Sequence, residues 1–238
     1  MNKLKLVYIT GATKGIGRAT AITFANAGWD LILLSRNLDK LKKLKAELSN
    51  TQSKINLVKC DLNNSKEIEN SIDQSIEKYG CPSVLINNAG NAFNGDLVGM
   101  SLDEWQSIIQ VNLTSIFQIC NSIIPKMRIN GGLIINVSSH ASTNAFAQWG
   151  AYCVSKSALA MLTKCIREEE RSNLIRACTI TLGSVNTPLW DSETINAGFD
   201  RSAMLSAESV AKTIFFIAER PERELIEDLT LMPSGGAF

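Results

Sequence analysis

Seven short apolar runs, each about the length of a β-strand, recur along this sequence with helical patterns between them. They are KLVYI (5–9), DLILLS (30–35), INLVKC (55–60), SVLIN (83–87), GLIINVS (132–138), ACTITL (177–182) and ELIEDLTLM (224–232). Runs this apolar imply strands covered on both faces, which is the condition of a parallel sheet between two helical layers. The helical patterns lie near 15–27, 38–49, 65–79, 102–129, 150–172 and 207–219. At 238 residues the length allows one large domain or two small ones. No repeat, low-complexity tract or compositional break divides it, so the expectation is one α/β domain over residues 1–238. Its architecture is a doubly wound parallel sheet of about seven strands in three α/β/α layers.

The remaining bulk properties narrow the partners. A net charge of +1 provides no global field for nucleic acid or an anionic membrane. No apolar run reaches the ~18 residues of a membrane-spanning helix. The N-terminus MNKLKLVYIT runs straight into a strand without a secretory pattern, so a cytoplasmic location is expected. Six cysteines (Cys60, Cys81, Cys120, Cys153, Cys165, Cys178) form no Cys-x-x-Cys pair, and there is one histidine. No metal cluster is visible, and the cysteines read as reduced, buried small hydrophobes.

In open parallel sheets, ligands sit at the carboxyl ends of strands, so the residues just after each run carry the functional information. The first run is followed by TGATKGIG, with Gly11, Gly15 and Gly17 leading into a helix. Glycines there permit positive φ and close backbone approach to a pyrophosphate at the positive helix end, although a tight turn that binds nothing uses them too. After the second run, the place where an acidic residue would meet a free ribose 2′-hydroxyl holds Ser35 and Arg36, and the glycine loop adds Lys14. Two cations and a hydroxyl suit a 2′-phosphate, so NADP(H) is expected over NAD(H). The third run ends in Cys60-Asp61-Leu62, where Asp61 is either an acceptor for an adenine amine or a residue of the next helix cap. The fourth ends in NNAG, Asn87 to Gly90.

Four polar residues then follow in chain order: Asn112 in IIQVNLTSIF, Ser139 at the end of INVSS, Tyr152 and Lys156. The last two, in AYCVSKSALA, are one helical turn apart on one face. Together TGATKGIG, NNAG, the helical asparagine, the strand-end serine and Tyr-x-x-x-Lys resemble the short-chain dehydrogenase/reductase family, a Rossmann-type fold, over nearly the whole chain. The resemblance implies cofactor contacts from Gly11, Thr13, Lys14, Gly15, Ile16 and Gly17, from Ser35, Arg36, Asp61 and Leu62, and from Asn88, Ala89 and Gly90. It implies the same of Tyr152, Lys156, Gly183, Val185 and Thr187, and it makes Asn112, Ser139, Tyr152 and Lys156 the catalytic set.

The chemistry accounts for those residue types. Hydride transfer to a carbonyl carbon leaves charge on the oxygen, and an acid must deliver a proton there. A free phenol has a pKa of ~10, and bringing it near 7 requires about 4 kcal/mol. An ammonium ~4 Å away at an effective dielectric of ~20 supplies roughly that, so Lys156 is expected to acidify Tyr152. Ser139, chosen over Ser138 by family spacing, would hold the substrate oxygen. A turn serine and a packing asparagine remain the plain readings of Ser139 and Asn112.

Further along, LGSVNTP (182–188) resembles the family segment around the nicotinamide, with Leu182 where the family usually has proline. Residues from about 187 to 206 would form a substrate lid carrying Trp190, Asp191, Glu193, Phe199, Asp200, Arg201 and Met204. His140, Phe93, Phe146 and Trp149 are either pocket-lining or packing residues. NTPLW and the ending LTLMPSGGAF look more like sepiapterin-reductase-like and hydroxy-acid dehydrogenase-like members than 3-oxoacyl-carrier reductases. The implied activity is NADP(H)-dependent oxidoreduction of a small carbonyl or secondary alcohol. The alternatives are a 3-oxoacyl-thioester reductase or a non-catalytic NADP(H)-binding protein. Helices 102–129 and 150–172 are apolar on more than one stripe, and the resemblance implies that they pair copies into a homodimer or homotetramer.

Overall fold

A computed structural model describes residues 5–192, 194–195 and 200–236. Glu193, Phe199 and the last two residues of the GGAF ending therefore lie outside the described residues. Seven strands form one parallel sheet: β1 (Leu6–Thr10), β2 (Asp30–Ser35), β3 (Ile55–Lys59), β4 (Val84–Asn87), β5 (Gly132–Val137), β6 (Ile175–Leu182) and β9 (Asp228–Leu231). Their order across the sheet is β3-β2-β1-β4-β5-β6-β9, and every pairing is parallel. The chain winds outward from β1 in one direction and then the other, which opens a crevice at the β1/β4 switch point.

The all-apolar strands follow from this layering. Within β1, Val7 and Ile9 enter one core while Leu6 and Tyr8 enter the other. In β2, Leu31 and Leu33 part from Ile32 and Leu34 in the same way. The two-residue alternation thus feeds two separate cores, each needing apolar side chains. Helices α1 (Gly15–Asn26), α2 (Leu38–Glu47) and α7 (Ala207–Ala218) cover the first. There Phe24 meets Trp29 and Phe215 edge-on, with ring centroids 5.2 and 5.0 Å apart. Helices α3 (Ser65–Tyr79), α5 (Ser115–Met127) and α6 (Gly150–Glu170) cover the second.

Four expectations need correction. The helix expected over 102–129 is α4 (Leu102–Ile109), opened by a Ser101–Glu104 capping box, then a π-helical turn (Gln110–Thr114), then α5. By length and hydropathy those 26 residues would suffice to cross a bilayer. Here they form a core element, with α4 and the π turn against α6 and α5 against α3. The last run pairs only over Asp228–Leu231, because residues 224–227 lead in as loop. Three of the six cysteines are buried as expected, but Cys81 and Cys153 are half-buried and Cys165 is exposed on α6; all six are unpaired. A two-residue parallel ribbon of β7 (Val185–Asn186) and β8 (Leu205–Ser206) was absent from the expectations.

Candidate active site

Loops at the carboxyl ends of β1, β2, β3, β4, β5 and β6 enclose a cleft of about 1050 Å³. That is at the upper end of the ~300–1,000 Å³ typical of small-molecule sites, and leaves room for an extended ligand with a second molecule beside it. Gly11 and Gly15 adopt φ of +66° and +52°, and a Cβ on Gly11 would fall 2.9 Å from the Ala89 Cα. Helix α1 begins at Gly15 with no side-chain cap and no acid in its first turn, so its positive end remains open to an anion. Gly11, Thr13, Lys14, Gly15 and Ile16 line the cleft. Gly17 stands behind it, where a Cβ would lie 2.3 Å from the Gly11 carbonyl oxygen. Its role is close packing of the turn.

At the β2 end, Thr13 and Ser35 share a hydroxyl contact of 3.4 Å, and Arg36 and Lys14 face the cleft. Among the described residues neither cation has an acidic partner. Lys40 joins them, a residue the sequence reading missed. Asn37 caps α2 by accepting from the Lys40 amide, which sets Lys40 in the first helical turn beside Arg36. A cation one turn past a strand-end arginine was the available signal. Asp61 lines the cleft with Leu62 and accepts from the Asn63 amide at 3.0 Å, an Asx turn; the cap of α3 is Asn64.

The NNAG loop binds the two halves of the crevice together. Asn88 donates its side-chain amide to the Thr10 carbonyl, and Thr10 Oγ1 accepts from the amides of Asn88 and Ala89, all at 3.0 Å. Asn87, fully buried, donates to Asn136 Oδ1 at 2.8 Å, and Asn136 in turn donates to Thr163 of α6. Ala89 and Gly90 line the cleft. A Cβ on Gly90 would sit 3.5 Å from Asn112 Oδ1 and 3.7 Å from Lys156 Nζ, so this glycine lets both side chains approach the loop.

Tyr152, Lys156 and Ser139 come together in the same cleft. The Ser139 hydroxyl is near enough to the Tyr152 phenol to favour its ionised form. Ser139 also caps the short turn after β5 by accepting from the Ala141 amide at 3.2 Å, so the turn-serine reading holds while the residue still lines the cleft. Ser138, by contrast, is turned toward the Lys156 carbonyl at 3.5 Å. Lys156 Nζ lies 5.8 Å from the Tyr152 ring centre and donates to the Val137 carbonyl at 2.9 Å. Asn112 is fully buried behind the cleft wall. The wide π turn aims it at Asn91, whose backbone amide donates to Oδ1 and whose carbonyl accepts from Nδ2, both at 2.8 Å. Its remaining bond goes to Ser155 Oγ at 3.0 Å, and none goes to Lys156.

Electrostatics correct the expected acidification. Burial pushes the Tyr152 phenol above its ordinary value, with the neighbouring Ser139 hydroxyl opposing this in part. Burial also lowers Lys156 to about 8. The simple Coulomb expectation counted the attraction of a charged pair in an average medium. It omitted the loss of water around both groups, which dominates here.

The remaining expected residues fall around the reacting end. Leu182 extends β6 to its pairing with Leu231, a step at which proline would contribute no ladder N–H. Gly183 follows, and its amide donates to the Leu231 carbonyl at 2.9 Å. A Cβ on Gly15 would lie 3.0 Å from Thr187, which brings the glycine loop against this segment. Val185 accepts from the Trp190 indole at 2.8 Å. Gly183, Val185, Thr187, Trp190 and Asp191 line the cleft. Arg201 ties the segment by donating to Asn186 Oδ1, the Thr187 carbonyl and Asp191 Oδ1 at 2.9, 2.9 and 2.5 Å. Thr194, unforeseen from sequence, donates to the Ala92 carbonyl at 2.7 Å. His140, Phe146 and Trp149 line the cleft, whereas Phe93 packs over Gly95.

The family model described as short chain dehydrogenase matches residues 5–197. A 3beta-hydroxysteroid dehydrogenase of Mediterraneibacter gnavus is 34% identical over 192 residues, 78% of this chain and 67% of that protein. An NADP-dependent 3-hydroxy acid dehydrogenase of Schizosaccharomyces pombe is 31% identical over 98% of this chain and 95% of its own length. Among solved structures, a metagenomic short-chain oxidoreductase in complex with NADP superimposes with a TM-score of 0.82 at 27% identity, covering 97% of each chain.

Proposed function

This chain belongs to the short-chain dehydrogenase family, whose members are oxidoreductases of alcohol and carbonyl groups, and on that premise we propose that it is an NADP(H)-dependent reductase of a small carbonyl compound with Tyr152 as proton donor. One observation carries the reading. A single cleft runs from Lys14, Arg36 and Lys40, which have no acidic partner among the described residues, past an open helix end, to Tyr152 and Ser139. Those cations and Ser35 fit a 2′-phosphate, the glycine turn with the α1 terminus fits a pyrophosphate, and Asp61 fits an exocyclic amine. NADP-bound relatives add support.

When bound, the dinucleotide supplies or accepts the hydride. The protein's part is to position and to move a proton. Ser139 holds the carbonyl oxygen against Tyr152, whose O–H transfers its proton to that oxygen as negative charge develops. Lys156, still largely protonated near neutrality at a pKa of about 8, stabilises the phenolate left behind. Asn112 fixes the loop at Asn91 and the residue before that lysine, Ser155.

The test is a panel of aldehydes, ketones and diketones with NADPH and NADH in parallel, run on wild type and Tyr152→Phe. NADPH-dependent turnover by wild type should fall by at least ~10³-fold in Tyr152→Phe while NADPH still binds. Retained turnover would remove the tyrosine from the mechanism; NADPH binding by wild type with no turnover would favour the non-catalytic reading. Exposed Phe117 on α5 and Val154 and Met161 on α6 support pairing of copies through these helices. Six unpaired cysteines support a reducing, cytoplasmic setting.

A further inference from the structure

The reacting end of the cleft is walled by aromatic rings. Trp149 packs edge-on against Tyr152 with ring centroids 5.8 Å apart, and Trp190 packs against Trp149 at 5.9 Å. The Trp190 indole N–H is held by the Val185 carbonyl, which fixes the ring in place. Phe146 lies 6.0 Å from His140, the residue after Ser139. The cleft's cations that lack an acidic partner among the described residues belong to the other end. They follow β1 and β2, and β2 is three strand spacings from β5, about 14 Å away.

Among the described residues, no free cation at the reacting end replaces them. Lys156 is buried on the Val137 carbonyl beneath Tyr152. Residues 187–200 include Asp191, Glu193 and Asp200 and neither lysine nor arginine. Arg201 follows, but its guanidinium is taken by Asn186, Thr187 and Asp191. A carboxylate, sulfonate or phosphate carried beside the reacting carbonyl would lose its water among indole rings without gaining a counter-charge. An apolar ring has no such hydration to lose and would gain burial and dispersion contact against the indoles.

We propose that the substrate is an uncharged ketone or secondary alcohol carried on an apolar ring, seated against Trp149 and Trp190, and that the site excludes carbonyl compounds of the same size bearing a carboxylate. The inference rests on the oxidoreductase reading above and deepens it.

A matched pair tests it: methylcyclohexanone against oxocyclohexanecarboxylate, substituted at the same ring carbon, with butanone as the acyclic reference. Wild type with NADPH should favour the methyl ring over the carboxylate ring by roughly a hundredfold in kcat/KM. It should favour the methyl ring over butanone by about tenfold, from the larger apolar surface buried. Trp190→Ala should erase most of the ring preference through KM, and Leu189→Lys, which adds a cation to the same wall, should narrow the discrimination against the carboxylate. Equal turnover of the two rings by wild type would overturn the inference while leaving the oxidoreductase reading intact. So would carboxylate turnover that His140→Gln abolishes, since it would place the anion on the imidazole. No turnover of any carbonyl or alcohol with either dinucleotide would remove the reading and this inference together.

Discussion

Lys156 is only 4% exposed, and its ammonium donates to one carbonyl, that of Val137. Burial therefore holds it at about 8, against an ordinary 10.5. A base whose folded pKa is depressed weakens the fold most at low pH. Below about 8 both folded and unfolded states carry the proton, and the folded state bears the whole desolvation cost. Between about 8 and 10.5 the unfolded chain binds more protons, so stability rises with pH. Lys156→Met removes that cost along with one hydrogen bond, so the variant should be about 1–2 kcal/mol more stable than wild type near pH 7. The advantage should shrink toward pH ~9.5, as read by urea denaturation at the two pH values. A variant no more stable than wild type near pH 7 would show that the ammonium is well solvated. Arg36 offers the complementary test on affinity. Arg36→Asp should weaken NADPH binding by about 10–100-fold and NADH little, with Lys14 and Lys40 limiting the loss, and fluorescence titration of both dinucleotides reads the ratio. An unchanged ratio would refute the phosphate assignment.

At the scale of elements, the π turn at Gln110–Thr114 has the clearest consequence, because it delivers Asn112 to the loop after β4. The Ser115 amide reaches back to the Gln110 carbonyl, five residues away, and the extra residue in the turn swings Asn112 inward. Asn112→Ala would leave the amide and carbonyl of Asn91 without their side-chain partner. We expect a loss of about 2–4 kcal/mol in stability and a marked drop in kcat, with NADPH affinity changed only a few-fold. A kcat equal to wild type would confine Asn112 to packing. The sequence shows part of this: an asparagine in an apolar helix is an anomaly. What it cannot show is the widened turn, since one extra residue leaves the flanking helical periodicities readable as a single helix. The β7–β8 ribbon is hidden for a related reason, because two-residue strands carry no period at all. The strands and glycine turn were legible because burial on both faces and φ near +60° each restrict the residue type severely.

Across the whole molecule, the reacting helix is tied to the last strand, a link that spacing along the chain does not reveal. Arg167 of α6 is buried, and it donates to the Ala177 carbonyl of β6 at 2.9 Å and the Glu227 carbonyl at 2.6 Å. It also pairs with the carboxylates of Glu227 and Asp228 at 3.0 and 3.4 Å. The run ELIEDLTLM reads as one strand, yet its first half is held by this guanidinium and by Arg176, which takes the Pro221 and Glu224 carbonyls. Side chains 45 to 61 positions away thus hold the segment from which β9 starts, and only the tertiary structure supplies them. The same contact couples the helix that carries Tyr152 and Lys156 to the edge of the sheet. Arg167→Met keeps the apolar stem and removes the fork, leaving the Ala177 and Glu227 carbonyls short of a donor while the half-exposed acids turn to water. The expected cost is about 2–4 kcal/mol. It should appear first as faster amide exchange along Asp228–Leu231, with the exchange of β1 and β4 following only the global loss. Uniform acceleration across all seven strands would mean that β9 is held by the sheet alone, and that the guanidinium contributes nothing local to its docking.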